Sequence, residues 1–178
     1  DCDRIAPLGV GKHVRFHAFS EPLAAVLEAQ LKIAREQIEV IRPGIPVAPR
    51  AACFAEPGRV ATVLCTSAFE RDSGVDRLIA AARLLVQRGH KLQVFLLGDG
   101  KHESVLRRQV RTRNLSSSVT FAPPLSDLTA AMQSADIFVR PSSDSEFTAD
   151  GLLAMGAGLV VVTDPSLLCD HVRPGETA

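Results

Sequence analysis

The 178-residue chain contains no tryptophan, no tyrosine and only two methionines. A site that stacks its ligand on indole or phenol rings is thereby excluded. The charge has no bias either: Lys and Arg together number 20, as do Asp and Glu, so the formal net charge is zero. Such a chain exerts no bulk pull on nucleic acid or acidic lipid. No apolar run approaches the roughly 20 residues of a membrane-spanning helix, and no signal peptide is visible. The chain opens on Asp1 rather than Met, as expected of a processed chain or a piece of a longer one. Its four cysteines, Cys2, Cys53, Cys65 and Cys169, lie far apart, with none of the spacings that hold a metal. Cys65 stands in an apolar run and is expected to be a buried thiol. This usage fits a reducing compartment.

Other signatures are missing too. The five histidines lack metal-ligand spacing, and His13 and His17 read as positions on a strand face. Gly11-Lys12 has no glycine five residues earlier and no Ser or Thr after the lysine, so it is not a P-loop. Gly98-Asp99-Gly100 follows a strand, but Glu103 stands where the dinucleotide fingerprint needs its third glycine. No serine occupies a G-x-S-x-G elbow. Lys101, Arg107, Arg108, Arg111 and Arg113 gather on one helix and read as a solvated face.

What is present is alternation. "GRVATVLCT" (58–66), "KLQVFLLG" (91–98), "VTF" (119–121), "DIFVR" (136–140) and "LVVVT" (159–163) read as strands. Between them, helices are expected along Val75–Val86, closed by Gly89, around Val105–Val110, over 125–132 with Ser126 near the cap, and over 148–156. Asp164-Pro165 opens a last short helix. Runs such as "VFLL" and "LVVV" are apolar on both faces, as in central parallel strands. The fold class is α/β, a doubly wound and mostly parallel, Rossmann-like sheet. Such sheets bind ligands at the carboxyl ends of their strands. That rule picks out Thr66–Gly74, Gly98–His102 and Arg140–Asp150.

The amino-terminal part differs. "HVRFHAFSE" reads as a strand running into a helix capped by Ser20, with Pro22 in its first turn, and "QIEVIRPGIPV" as a short strand ending in a Pro-Gly turn. Residues 43–57 carry four prolines and read as a linker.

In their order, these segments resemble the carboxyl-terminal, nucleotide-sugar-binding domain of GT-B glycosyltransferases, specifically the family-four (group 1) retaining enzymes. The resemblance is carried by "VLCTSAFERDSGVDRLIAAARLL", "LQVFLLGDG", "SSSVTFAPPLSDLTAAMQSADIFVRPS", "SEFTADGLLAMGAGLVVVTD" and "HVRPGETA". It implies that residues 1–50 are the tail of a preceding acceptor-side domain plus linker, and residues 51–178 the donor-binding domain. In that family an arginine and a lysine of the donor loop neutralise the diphosphate. Aligned on Gly74, their positions fall on Ala68 and Ser73, with Arg71 a substitute in the same loop. The family's two glutamates, one near the donor sugar and one on the ribose hydroxyls, fall on Ser145 and Leu153. Glu146 fills the first place if the turn is one residue shorter, as the catalytic carboxylate; otherwise it is a turn or cap residue. Asp150 shares a helix face with Leu153 and stands in for the second, or it simply stabilises the helix start. Ser142, Ser143, Ser145 and Thr148 surround that start and could cradle a phosphate. Gly98, Asp99 and Gly100 could floor a base or sugar.

The resemblance implies transfer of a sugar from a nucleotide-diphosphate sugar, with retention of configuration and no cofactor or metal. A saccharide or lipid-linked acceptor would be held by an amino-terminal domain that is missing here. The location would be cytoplasmic, with room for weak contact at a membrane surface, and nucleic acid is not a partner. By itself this piece is expected to be inactive. The altered donor positions keep a second reading open: a non-catalytic scaffold, or a partner subunit that binds nucleotide weakly.

Overall fold

The computed structural model describes residues 14–45, 58–141 and 149–164. Among the first of these, β1 (Phe16–Ala18), α1 (Glu21–Leu31) and β2 (Ile38–Val40) form a small βαβ unit. The Ser20 hydroxyl accepts from Leu23 N at 3.3 Å, and Pro22 occupies the first turn, as expected of this cap. β1 and β2 pair in parallel, Phe16 opposite Ile38, around a core of Ala18, Ala24, Ile33 and Ile38.

The larger unit contains β3 (Ala61–Thr66), α2 (Val75–Gln87), β4 (Leu92–Leu97), α3 (Glu103–Thr112), β5 (Val119–Ala122), α4 (Thr129–Ser134), β6 (Ile137–Arg140), α5 (Asp150–Gly156) and β7 (Val160–Thr163). Its five strands are all parallel, in the order β5-β4-β3-β6-β7. The period-two rule distributes their side chains. Val63, Cys65, Val94 and Leu96 pack under Val75 and Ile79 of α2 and Leu106 and Val110 of α3. Leu64, Leu97, Phe138 and Val161 face the other way, against Met132 of α4 and Ala154 of α5. The doubly wound α/β expectation therefore holds. The chain steps from β3 outward to β5, then returns to lay β6 on the other side of β3, so the order reverses between β3 and β6.

Several expectations are corrected. The "LVVV" run is not central: Val160 and Val162 are 46% and 49% exposed, and β7 is an edge among the described strands. An apolar run cannot tell an interior strand from an edge, because that depends on what covers it. The helix expected over 125–132 starts at Thr129, and Leu125 is exposed. Asp127, not Ser126, makes the cap-like contact, its Oδ1 accepting from Thr129 N at 2.8 Å. The Thr129 hydroxyl, then its N–H, hold the Asp127 carboxyl below its ordinary value of 3.8. The helix expected over 148–156 begins at Asp150. The one expected after Asp164 lies outside the described residues.

At the amino-terminal edge of the sheet, Asp136 is buried and is tied to its neighbours by side chain and backbone. Its Oδ2 accepts from Thr62 N at 2.9 Å, its Oδ1 lies 2.8 Å from Arg59 Nη2, and its backbone N donates to Thr62 O. The Arg59 contact is an ion pair by distance rather than an aligned hydrogen bond. Asp136 thus fixes where β6 starts beside β3, at the end of the sheet away from the carboxyl edge described below.

Cys65 is buried as expected, and burial pushes its thiol up from the ordinary 9.0 to about 12. Between those values the folded chain keeps a proton that the unfolded chain releases. Stability therefore falls as pH rises from about 9 toward 12. At about pH 8 we expect iodoacetamide to label Cys65 only after unfolding, as read by peptide mapping. Native labelling would show that β3 is open to solvent.

Candidate functional site

Because all five strands run the same way, the connections after β3, β4 and β6 leave from one edge. At that edge two ladders run to their ends: β3 pairs with β4 as far as Thr66 opposite Leu97, and β6 pairs with β7 as far as Arg140 opposite Thr163. Between β3 and β6 the pairing stops earlier, at Leu64 opposite Phe138. Backbone pairing ends there, at the point where the strand order reverses, which is where ligands of such sheets bind.

The β3–α2 connection lies across the β4–α3 turn. Phe69 N donates to Asp99 O at 2.6 Å, and His102 N donates to Phe69 O at 2.8 Å. A Cβ on Gly98 would fall on the Ser67 carbonyl oxygen, and one on Gly100, where φ is 151°, would come within 2.5 Å of Phe69 O. The glycine pair thus makes room for the chain's own backbone. The Asp99 side chain is exposed. The Phe69 ring is buried and meets Phe121 edge-on at 5.7 Å. Arg107 covers Phe121 at 4.5 Å and pairs with Glu103 at 2.7 Å. Arg107, expected on a solvated face, therefore also shields an aromatic pair under the loop.

The named site residues fall into three sets. Ala68 and Arg71 are exposed on the loop, whereas Ser73 is 6% exposed and its N donates to Glu70 O at 3.3 Å. Asp150 is at the first residue of α5, and its Oδ2 accepts from Thr66 Oγ1 at 2.6 Å. It is thus tied to the end of β3 rather than turned only to its own helix. Leu153, expected from the resemblance at the place of the family's second glutamate, is partly buried against the core that holds Leu64 and Phe138. Glu146, Ser142, Ser143, Ser145 and Thr148 lie outside the described residues.

Arg77, exposed in the first turn of α2, donates through Nη2 to the Pro141 carbonyl at 2.7 Å. Sequence reasoning missed this contact, as it missed the Thr66–Asp150 bond, because each joins residues more than sixty positions apart. Among the described residues no group of three or more His, Cys, Asp or Glu could hold a metal.

Residues 60–178 match the family model described as group 1 glycosyl transferases. The chain belongs to that family. No curated protein sequence matches this group 1 glycosyltransferase chain. Solved structures with the same fold include the pneumococcal O-GlcNAc transferase GtfA in complex with UDP and GlcNAc, at 15% identity and a TM-score of 0.73, covering 90% of this chain and 32% of that one. HepE of Anabaena in complex with UDP and glucose matches at 20% identity and 0.73, covering 90% of this chain and 47% of HepE. WaaG, a glycosyltransferase involved in lipopolysaccharide biosynthesis, matches at 22% and 0.70, covering 93% of this chain and 48% of WaaG. This chain thus spans a third to a half of the length of these proteins. No helix among its described residues is long and apolar enough to cross a membrane.

Proposed function

We propose that this chain is the donor-binding half of a retaining glycosyltransferase, which moves a sugar from a nucleotide-diphosphate sugar to a saccharide or lipid-linked acceptor. The observation that carries the reading is the switch point between β3 and β6 in a group 1 glycosyltransferase chain, where the ladder ends at Leu64 and Phe138 on the edge from which the loops at Ser67 and Gly98 leave. Residues 1–50 are the end of an acceptor-side domain and its linker; residues 51–178 hold the donor. Arg71, Ser142, Ser143, Ser145 and Thr148 are the diphosphate-side candidates, Glu146 the carboxylate near the sugar, and Asp150 that on the ribose side. Transfer needs no metal and takes place in the cytoplasm. The test is a panel of nucleotide sugars offered to the longer parent protein. Turnover supports the reading, the preferred base names the donor, and absence of turnover with every donor and acceptor overturns it.

A second reading has its own support. Ala68 and the buried Ser73 stand where the resemblance places the family's cations, and Leu153 is partly buried against the core where it places an acid. On that reading the chain is a scaffold that binds nucleotide weakly. The two carboxylates distinguish the sites: Glu146→Ala is expected to weaken binding of the donor nucleotide sugar more than Asp150→Ala, as followed by NMR titration with the intact nucleotide sugar. Equal losses would mean that the register placing Glu146 beside the sugar is wrong.

A further inference from the structure

Where the β3–β6 ladder stops, two side-chain hydrogen bonds continue to join the same two strands' connections. Thr66, the last residue of β3, donates its hydroxyl to Asp150 Oδ2, at the start of α5, at 2.6 Å. Arg77, in the first turn of α2, donates to the carbonyl of Pro141, the first residue after β6, at 2.7 Å. The ties cross: the end of β3 holds the start of α5, and the start of α2 holds the end of β6. Gly74 completes the second contact. Its φ is 72°, and a Cβ there would lie 2.5 Å from Pro141 O and 2.8 Å from Arg77 Nη2, so only glycine lets the backbones approach. Each bond has one charged partner, which makes it stronger than a neutral pair.

We propose that Thr66 and Arg77 are positioning residues that hold the β3–α2 corner against the β6–α5 corner at the carboxyl edge of the sheet. Backbone pairing has ended there, so no ladder bond joins the two corners; a hydroxyl–carboxylate bond and a guanidinium–carbonyl bond join them, beside the close approach of Gly74 to Pro141. Resting on the donor-site reading above, the inference assigns the two residues a preorganising part in nucleotide binding, without contact to the reacting atoms.

The test compares Thr66→Val and Arg77→Met with the conservative Thr66→Ser and Arg77→Lys in the 178-residue chain. Hydrogen exchange needs no ligand. Thr66→Val is expected to speed exchange of the Leu153 amide, which bonds to Ala149 O, about tenfold. Arg77→Met should do the same at Leu78, bonded to Gly74 O. The core amide of Val94 should not change, and the conservative variants should restore the native rates. A uniform rise at all amides, or no rise at Leu153 and Leu78, overturns the inference. In a parallel NMR titration with UDP, Thr66→Val should weaken binding about tenfold and Thr66→Ser should restore it. A native chain that binds neither UDP nor GDP overturns the donor-site reading, and the exchange rates then decide the positioning claim alone.

Discussion

Gly98→Ala is expected to cost about 3 kcal/mol of folding stability, whereas Gly151→Ala should gain about 0.5–1 kcal/mol. The two substitutions add the same methyl group. At Gly98 it falls on the Ser67 carbonyl oxygen, within reach of the Phe69 ring at 3.2 Å; at Gly151, in α5, nothing lies within 4 Å. The obstacle at Gly98 is backbone, and that backbone is itself held by the bonds from Phe69 N to Asp99 O and from His102 N to Phe69 O. Relief therefore requires the whole β3–α2 connection to lift from the β4–α3 turn. Urea denaturation gives both numbers. Equal effects at the two sites would show that the 67–69 segment does not lie on the glycine turn.

The chain is expected to bind UDP or GDP no tighter than the millimolar range, about −4 kcal/mol. A leaving diphosphate needs cations or aimed N–H groups. The two positions that alignment on Gly74 proposes for the family's cations hold Ala68 and Ser73, and Ser73 is buried. Ala68 is exposed, so a long side chain can be placed there without displacing the core. Ala68→Arg is accordingly expected to raise UDP affinity about tenfold or more, one charge-assisted contact to phosphate being enough. Ser73→Lys should gain less, since its stem must leave a packed site. Calorimetry that finds a micromolar constant for the native chain would overturn the weak-binding expectation. An unchanged constant for Ala68→Arg would mean that the alignment on Gly74 does not place residue 68 beside the diphosphate.

The pattern of residues along the chain determined the α/β class, the strand and helix order and the Ser20 cap, because each is a local matter. Apolar period, turn chemistry and capping act within a few residues, and those terms agree over most of the described residues of 61–141 and 149–163. The same local information placed α4 too early, because it weighed Ser126 without seeing that the Asp127 carboxylate reaches Thr129 N. It also took β7 for a central strand, since Val160 and Val162 differ from core valines only in what lies over them.

The functional edge divides in the same way. The rule that ligands sit at carboxyl ends of parallel strands named the Thr66, Gly98 and Arg140 corners from sequence, and the parallel order puts those ends on one side. Only the tertiary structure decided that the pairing of β3 with β6 ends at Leu64 and Phe138, that Asp150 turns to Thr66, and that Arg77 reaches Pro141. These contacts span 64 to 84 residues. Their partners are brought together by the packing of the sheet and its two helical layers, and no local pattern records such a distance.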